Sequence, residues 1–111
     1  MYVARFSYAI RPADRDHVLK LLHQQVAAAH DGGLDARLLV PLTRAAGGAA
    51  LQVEVMMATL DAFDAFREAG VGGEAGTRSW ARELSEFLLG PPAVELLRIA
   101  AATAPEESGT S

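Results

Sequence analysis

Between Leu51 and Met57 every second residue is large and apolar: Leu51, Val53, Val55 and Met57 alternate with Gln52, Glu54 and Met56. A period of two over seven residues is the mark of a strand that buries one face, and such a strand needs both sheet neighbours and a covering layer. Tyr2, Phe6, Tyr8 and Ile10 alternate with smaller or polar residues, Arg5 and Ser7 among them, which predicts a second strand over residues 2–10. Pro12 suits a first helical turn and Asp14 and Asp16 complement a helix N-terminus. Val18, Leu21, Leu22, Val26 and Ala29 then recur at three- and four-residue steps up to Gly32-Gly33, an amphipathic helix.

Residues 35–43 form a short apolar run that predicts another strand, with Ala45-Ala46-Gly47-Gly48 as its hairpin loop to a strand over 49–58. Pro41 cannot donate to a ladder, so that strand belongs at an edge. Thr59 caps a helix that buries Leu60, Phe63 and Phe66 and breaks at Gly70. A flexible Gly-rich insert, Val71 to Gly76, precedes a second helical piece capped by Thr77 or Ser79. There Trp80, Leu84, Phe87 and Leu88 share one side until Gly90-Pro91-Pro92. Val94 to Ile99 is the last strand, and the polar tail over 100–111 is expected to be disordered.

The order βαββαβ, with the second helix interrupted, predicts one ferredoxin-like α+β domain over residues 1–99. In that plan two helices cover one face of a four-stranded antiparallel sheet whose central neighbours are the first and third strands. The other face carries Val3, Arg5, Ser7, Gln52, Glu54 and Met56, and no helix of the chain is left to cover it.

Composition excludes several classes of function. With 111 residues the chain holds one core. It has no cysteine, hence no disulfide framework, thiolate metal site or cysteine nucleophile. A net charge of -4 argues against nucleic acid as a partner. No apolar run is long enough to span a membrane, and the first residues lack the pattern of a secretory signal, so a cytoplasmic location is expected.

Two segments carry a family likeness: the strand-to-helix stretch Val53-Glu54-Val55-Met56-Met57-Ala58-Thr59-Leu60-Asp61-Ala62-Phe63-Asp64-Ala65-Phe66, and the closing Leu88-Leu89-Gly90-Pro91-Pro92-Ala93-Val94-Glu95-Leu96-Leu97-Arg98. With length and element order, they make residues 2–99 resemble the dimeric α+β barrel superfamily, which includes antibiotic-biosynthesis monooxygenases, NIPSNAP-like proteins, haem-degrading enzymes and polyketide cyclases. The resemblance implies a homodimer with sheets packed face to face and a small-molecule cavity in each subunit. Haem-degrading members depend on an asparagine, and cofactor-free oxygenases of the family often pair asparagine with tryptophan. This chain has Trp80 and no asparagine, so haem degradation is not expected and the oxygenase constellation is incomplete.

The candidate chemistry is dispersed. His17, His23 and His30 fall on the first helix, and an imidazole titrating near neutrality makes His23 the candidate general base. His23 and His30 stand about 10 Å apart along the axis, too far to share a zinc ion, so no metal site is expected. Arg5 and Glu54 share a sheet face, either as an ion pair at a dimer interface or as a polar pocket in which burial raises the carboxyl pKa towards that of a base. Tyr8 is the phenol placed to meet a substrate carbonyl. The catalytic candidates are therefore His23, Tyr8, Glu54 and Arg5, and the candidate ligand-binding residues are Phe6, Phe63, Trp80 and Phe87. The Gly70–Ser79 stretch lacks the lysine of a phosphate loop and follows a helix instead of a strand. Asp61/Asp64 and Glu83/Glu86 sit beside Arg67 and Arg82 as solvated pairs, and no Gly-x-Ser-x-Gly elbow occurs. The expected function is the tailoring of a hydrophobic or aromatic, polyketide-like metabolite, by monooxygenation without a cofactor or by acid/base cyclisation. The alternative is a ligand-binding or assembly dimer without catalysis.

Overall fold

The computed structural model describes residues 1–43 and 50–101. The expected loop at Ala45–Gly48 and nearly all of the expected tail lie outside them. Strands β1 (Tyr2–Tyr8), β2 (Asp35–Leu39), β3 (Leu51–Met57) and β4 (Ala93–Arg98) form one antiparallel sheet in the order β2-β3-β1-β4. Helices α1 (Arg15–Asp31), α2 (Leu60–Ala69) and α3 (Gly73–Ser85) lie on one side of it. This is the ferredoxin-like α+β plan read from the sequence, with β1 and β3 central. Among the described residues no helix is long and apolar enough to cross a membrane.

The period-two pattern does the sorting. Ala4, Phe6 and Tyr8 of β1 and all four alternate apolar residues of β3 are buried under the helices. Val18, Leu21, Leu22 and Ala29 of α1, Phe63 and Phe66 of α2 and Leu84 of α3 close over them. Each buried aliphatic or aromatic side chain of this kind contributes about 1.5–3 kcal/mol relative to its exposed state.

Several boundaries depart from the sequence reading, the end of β1 at Tyr8 instead of Ile10 among them. Pro12 to Asp14 form a 3-10 turn before α1 instead of its first α-helical turn. Strand β2 ends at Leu39, so it is an edge strand as expected but Pro41 lies beyond it. The break between the second and third helices is confined to Gly70–Gly72, because Gly72 takes a left-handed φ of 75° and turns the chain straight into α3. Thr77 therefore caps nothing. Its hydroxyl lies inside α3, accepts from the Val71 N–H at 3.0 Å and donates to the Val71 carbonyl at 3.2 Å, clamping the turn onto the helix. Phe87 and Leu88 follow the helix rather than ending it, and Leu88 bridges to Ile10.

Candidate functional site

The two faces of the sheet have different chemistry. On the helix side, the covering layer stops short of β4, whose residues are all exposed, and a cavity of about 360 Å³ opens between β1, β4, α1 and α3. Phe6 and Tyr8 form its floor, Val94 one wall, Gln25 and Trp80 the helix side, and Phe66, Arg67 and Val71 the α2 end. Phe6 and Phe66 meet tilted at 58° with their ring centroids 6.4 Å apart.

The polar groups in this apolar space are tightly engaged. The Tyr8 hydroxyl donates to Gln25 Oε1 at 3.0 Å, and both side chains are buried. Burial pushes the phenol well above its ordinary pKa, with the Gln25 hydrogen bond only partly offsetting the effect, so Tyr8 is a neutral donor at every physiological pH. Trp80 Nε1–H donates to the Leu21 carbonyl at 2.8 Å, which ties α3 to α1 and leaves the indole ring to face the cavity.

The opposite face is built in rows across the four strands. Arg37, Glu54, Arg5 and Glu95 stand side by side in register. Glu54 Oε2 accepts from Arg5 Nε at 2.8 Å, Glu54 Oε1 accepts from Arg37 Nη2 at 2.7 Å, and Arg5 lies 3.7 Å from Glu95. Burial by itself raises the Glu54 pKa, but hydrogen bonds and charge from the two guanidiniums overrule it and hold the carboxyl below its ordinary range. On one side of this row Met56, Val3 and Leu97 form an apolar row that ends on β2 in the exposed Asp35, and on the other Gln52 donates to Ser7 Oγ at 3.2 Å.

The candidate catalytic set is therefore divided. Tyr8 lines the cavity; Arg5 and Glu54 lie behind the sheet; His23 is exposed on α1 and lines no part of the cavity. Glu54 is a fixed anion between two arginines, which corrects the reading of a carboxyl raised towards a base. Of the ligand-binding candidates, Phe6 and Trp80 line the cavity. Phe63 is buried in the core beneath the Arg67 guanidinium, 5.4 Å from its ring centre, and Phe87 is half-buried against the His17 ring at 4.3 Å. His17 also lies 3.3 Å from Glu83, and His30 Nε2 bonds the Ala36 carbonyl at 3.0 Å. No three His, Asp or Glu side chains among the described residues converge as a metal site. Gln25 is the site residue that the sequence reading missed. The signal was present: it interrupts the apolar stripe of α1 four residues after Leu21 and three after Leu22, a core position.

No protein-family model matches the chain, and no curated protein matches it in sequence. Solved structures do. An antibiotic biosynthesis monooxygenase superposes with a TM-score of 0.69 at 16% identity, over 91% of this chain and 100% of that one. An uncharacterized NIPSNAP domain protein from Burkholderia xenovorans gives 0.68 at 14% identity, over 94% and 99%. A dimeric ferredoxin-like protein of unknown function from Thermobifida fusca YX gives 0.64 at 16% identity, over 88% and 90%. At these identities the likeness is one of fold. The chain has the ferredoxin-like α+β fold of antibiotic biosynthesis monooxygenase-like and NIPSNAP domain proteins, as the resemblance read from its sequence implied.

Proposed function

We propose that the chain is a cytoplasmic, homodimeric enzyme that tailors a hydrophobic or aromatic, polyketide-like metabolite in the Tyr8–Trp80 cavity by monooxygenation without a cofactor. The observation that carries this reading is an apolar cavity with a buried phenol–amide pair, on a fold shared with an antibiotic biosynthesis monooxygenase. Its volume of about 360 Å³ falls within the range of about 300–1,000 Å³ usual for small-molecule sites. Acid/base cyclisation fits less well, because among the described residues no histidine or carboxylate lines the cavity and the Tyr8 phenol is too weak an acid to shuttle protons near neutrality.

Oxygenation asks less of the protein. An electron-rich phenol oxidised to a quinone supplies all four electrons that O2 requires; one oxygen atom enters the product and the other leaves as water. The cavity would hold the ring dry and place hydrogen-bond donors on the oxygen where charge gathers. The dimer part of the reading rests on the uncovered sheet face, and the dimeric Thermobifida structure accords with it. The charged row on that face is also self-complementary. Turned about an axis parallel to the strands, each of its arginines meets a glutamate of a second copy, and in the next row Met56 meets Val3 while Asp35 stands at the edge beside Leu97.

The test is incubation with hydroxynaphthalenes and anthrones under labelled O2. One labelled oxygen atom in the product per O2 consumed is expected, with a native mass twice that of the 11.7 kDa chain. A phenol that binds in air and is returned unchanged would sink the enzyme reading. The second reading, a ligand-binding dimer without catalysis, would then stand, and the absence of any near-neutral acid or base in the cavity lining favours it.

A further inference from the structure

The side-chain donors of the cavity divide sharply. Thr77 is bonded to the Val71 backbone, Trp80 to the Leu21 carbonyl, Ser85 to the Arg82 carbonyl, and Tyr8 to Gln25. Two groups remain. Gln25 is 3% exposed, and its carbonyl oxygen takes the Tyr8 proton; its Nε2 has no partner among the described residues. Arg67 is the one charged residue of the lining, held over the Phe63 ring at 5.4 Å and in no ion pair among the described residues. A buried amide donor without an acceptor is costly, and a cation at the rim of an apolar space favours an anion.

We infer that these two groups select the ligand: an apolar body that packs among Phe6, Phe66 and Trp80, with a hydroxyl or carbonyl oxygen that accepts from Gln25 Nε2 and a carboxylate that meets Arg67. Tyr8 acts here as a positioning residue, through its hold on the Gln25 amide. The inference rests on the cavity being the ligand site proposed above, and adds to it the polar pattern of the substrate. It accounts for a glutamine within the buried stripe of α1, where an apolar residue would pack at lower cost.

Three probes separate the contributions: naphthalene, 2-naphthol and 6-hydroxy-2-naphthoate. Affinity is read by calorimetry, and occupancy of the cavity by the shift of the indole N–H resonance of Trp80, the single tryptophan of the chain. The hydroxyl is expected to improve binding roughly three- to tenfold over naphthalene, and the carboxylate to add a further gain of similar size. Gln25→Leu, and the paired Y8F/Q25L variant that leaves no phenol unpaired, should erase the preference for 2-naphthol while naphthalene still binds. Arg67→Gln should erase only the carboxylate gain. If naphthalene and 2-naphthol bind wild-type protein equally, or the Gln25 variants keep the preference, the inference fails while the cavity reading stands. If no probe moves the Trp80 resonance, both fall.

Discussion

Glu54 shows how a residue's neighbours decide its chemistry. It is 5% exposed and would be a costly buried charge, yet Arg5 and Arg37 grip its two oxygens. Its carboxyl is held below the ordinary value of 4.5, so the unfolded chain binds the proton more readily than the folded one. The stabilisation is therefore complete above that ordinary value and is lost as pH falls through the lower, folded one. Glu54→Gln is expected to cost about 1–2 kcal/mol at neutral pH, less than a fully buried pair because both arginines reach solvent. It should also flatten the acid branch of stability below about pH 4.5; urea midpoints measured across that range check both. The alternation in β1 and β3 was enough to put Arg5 and Glu54 on one face of the sheet, and strand register then set them opposite each other. The role of Arg37 depended on the pairing of β2 with β3, which no local pattern encodes.

The helices show which local signals survive at the scale of an element. Thr59 caps α2 as its position before Leu60 predicts, accepting from the Ala62 N–H at 3.1 Å. Thr59→Ala is expected to lower stability by about 1 kcal/mol without altering ligand binding, measurable as a shifted thermal midpoint. The start of α3 was not legible in the same way. Three glycines in the six residues Val71 to Gly76 read as a flexible insert, yet α3 begins at Gly73 and Gly76 lies within it. Gly76 is there for room: a Cβ would stand 2.8 Å from the Val71 carbonyl oxygen, the group that Thr77 clamps. Glycine's low helix propensity yielded to a tertiary contact, and that contact brings Val71, Thr77 and Trp80 to the cavity wall.

At the scale of the whole molecule, one sheet face is covered by helices and the other is not. Leu97 on that open face is 38% exposed, beside half-buried Val3 and Met56. If a second copy covers it in the register described above, Leu97→Glu should set a carboxylate against the Asp35 end of that copy's row and yield a protein of single-chain mass, with a far-UV circular dichroism spectrum like that of wild type. A variant that keeps the dimer mass would remove this face as the interface. Periodicity and punctuation in the sequence determined the order of the elements, the uncovered face and most of the buried set, because each depends on residues close together in the chain; Leu60, expected to be buried with Phe63 and Phe66, is 48% exposed at the first turn of α2. Only the tertiary structure decided which polar groups meet. Tyr8 finds Gln25, Arg37 finds Glu54, Trp80 finds Leu21, and His23 is left in solvent. Those outcomes depend on how far α3 reaches across the sheet and on strand register, both set by packing between segments far apart in sequence.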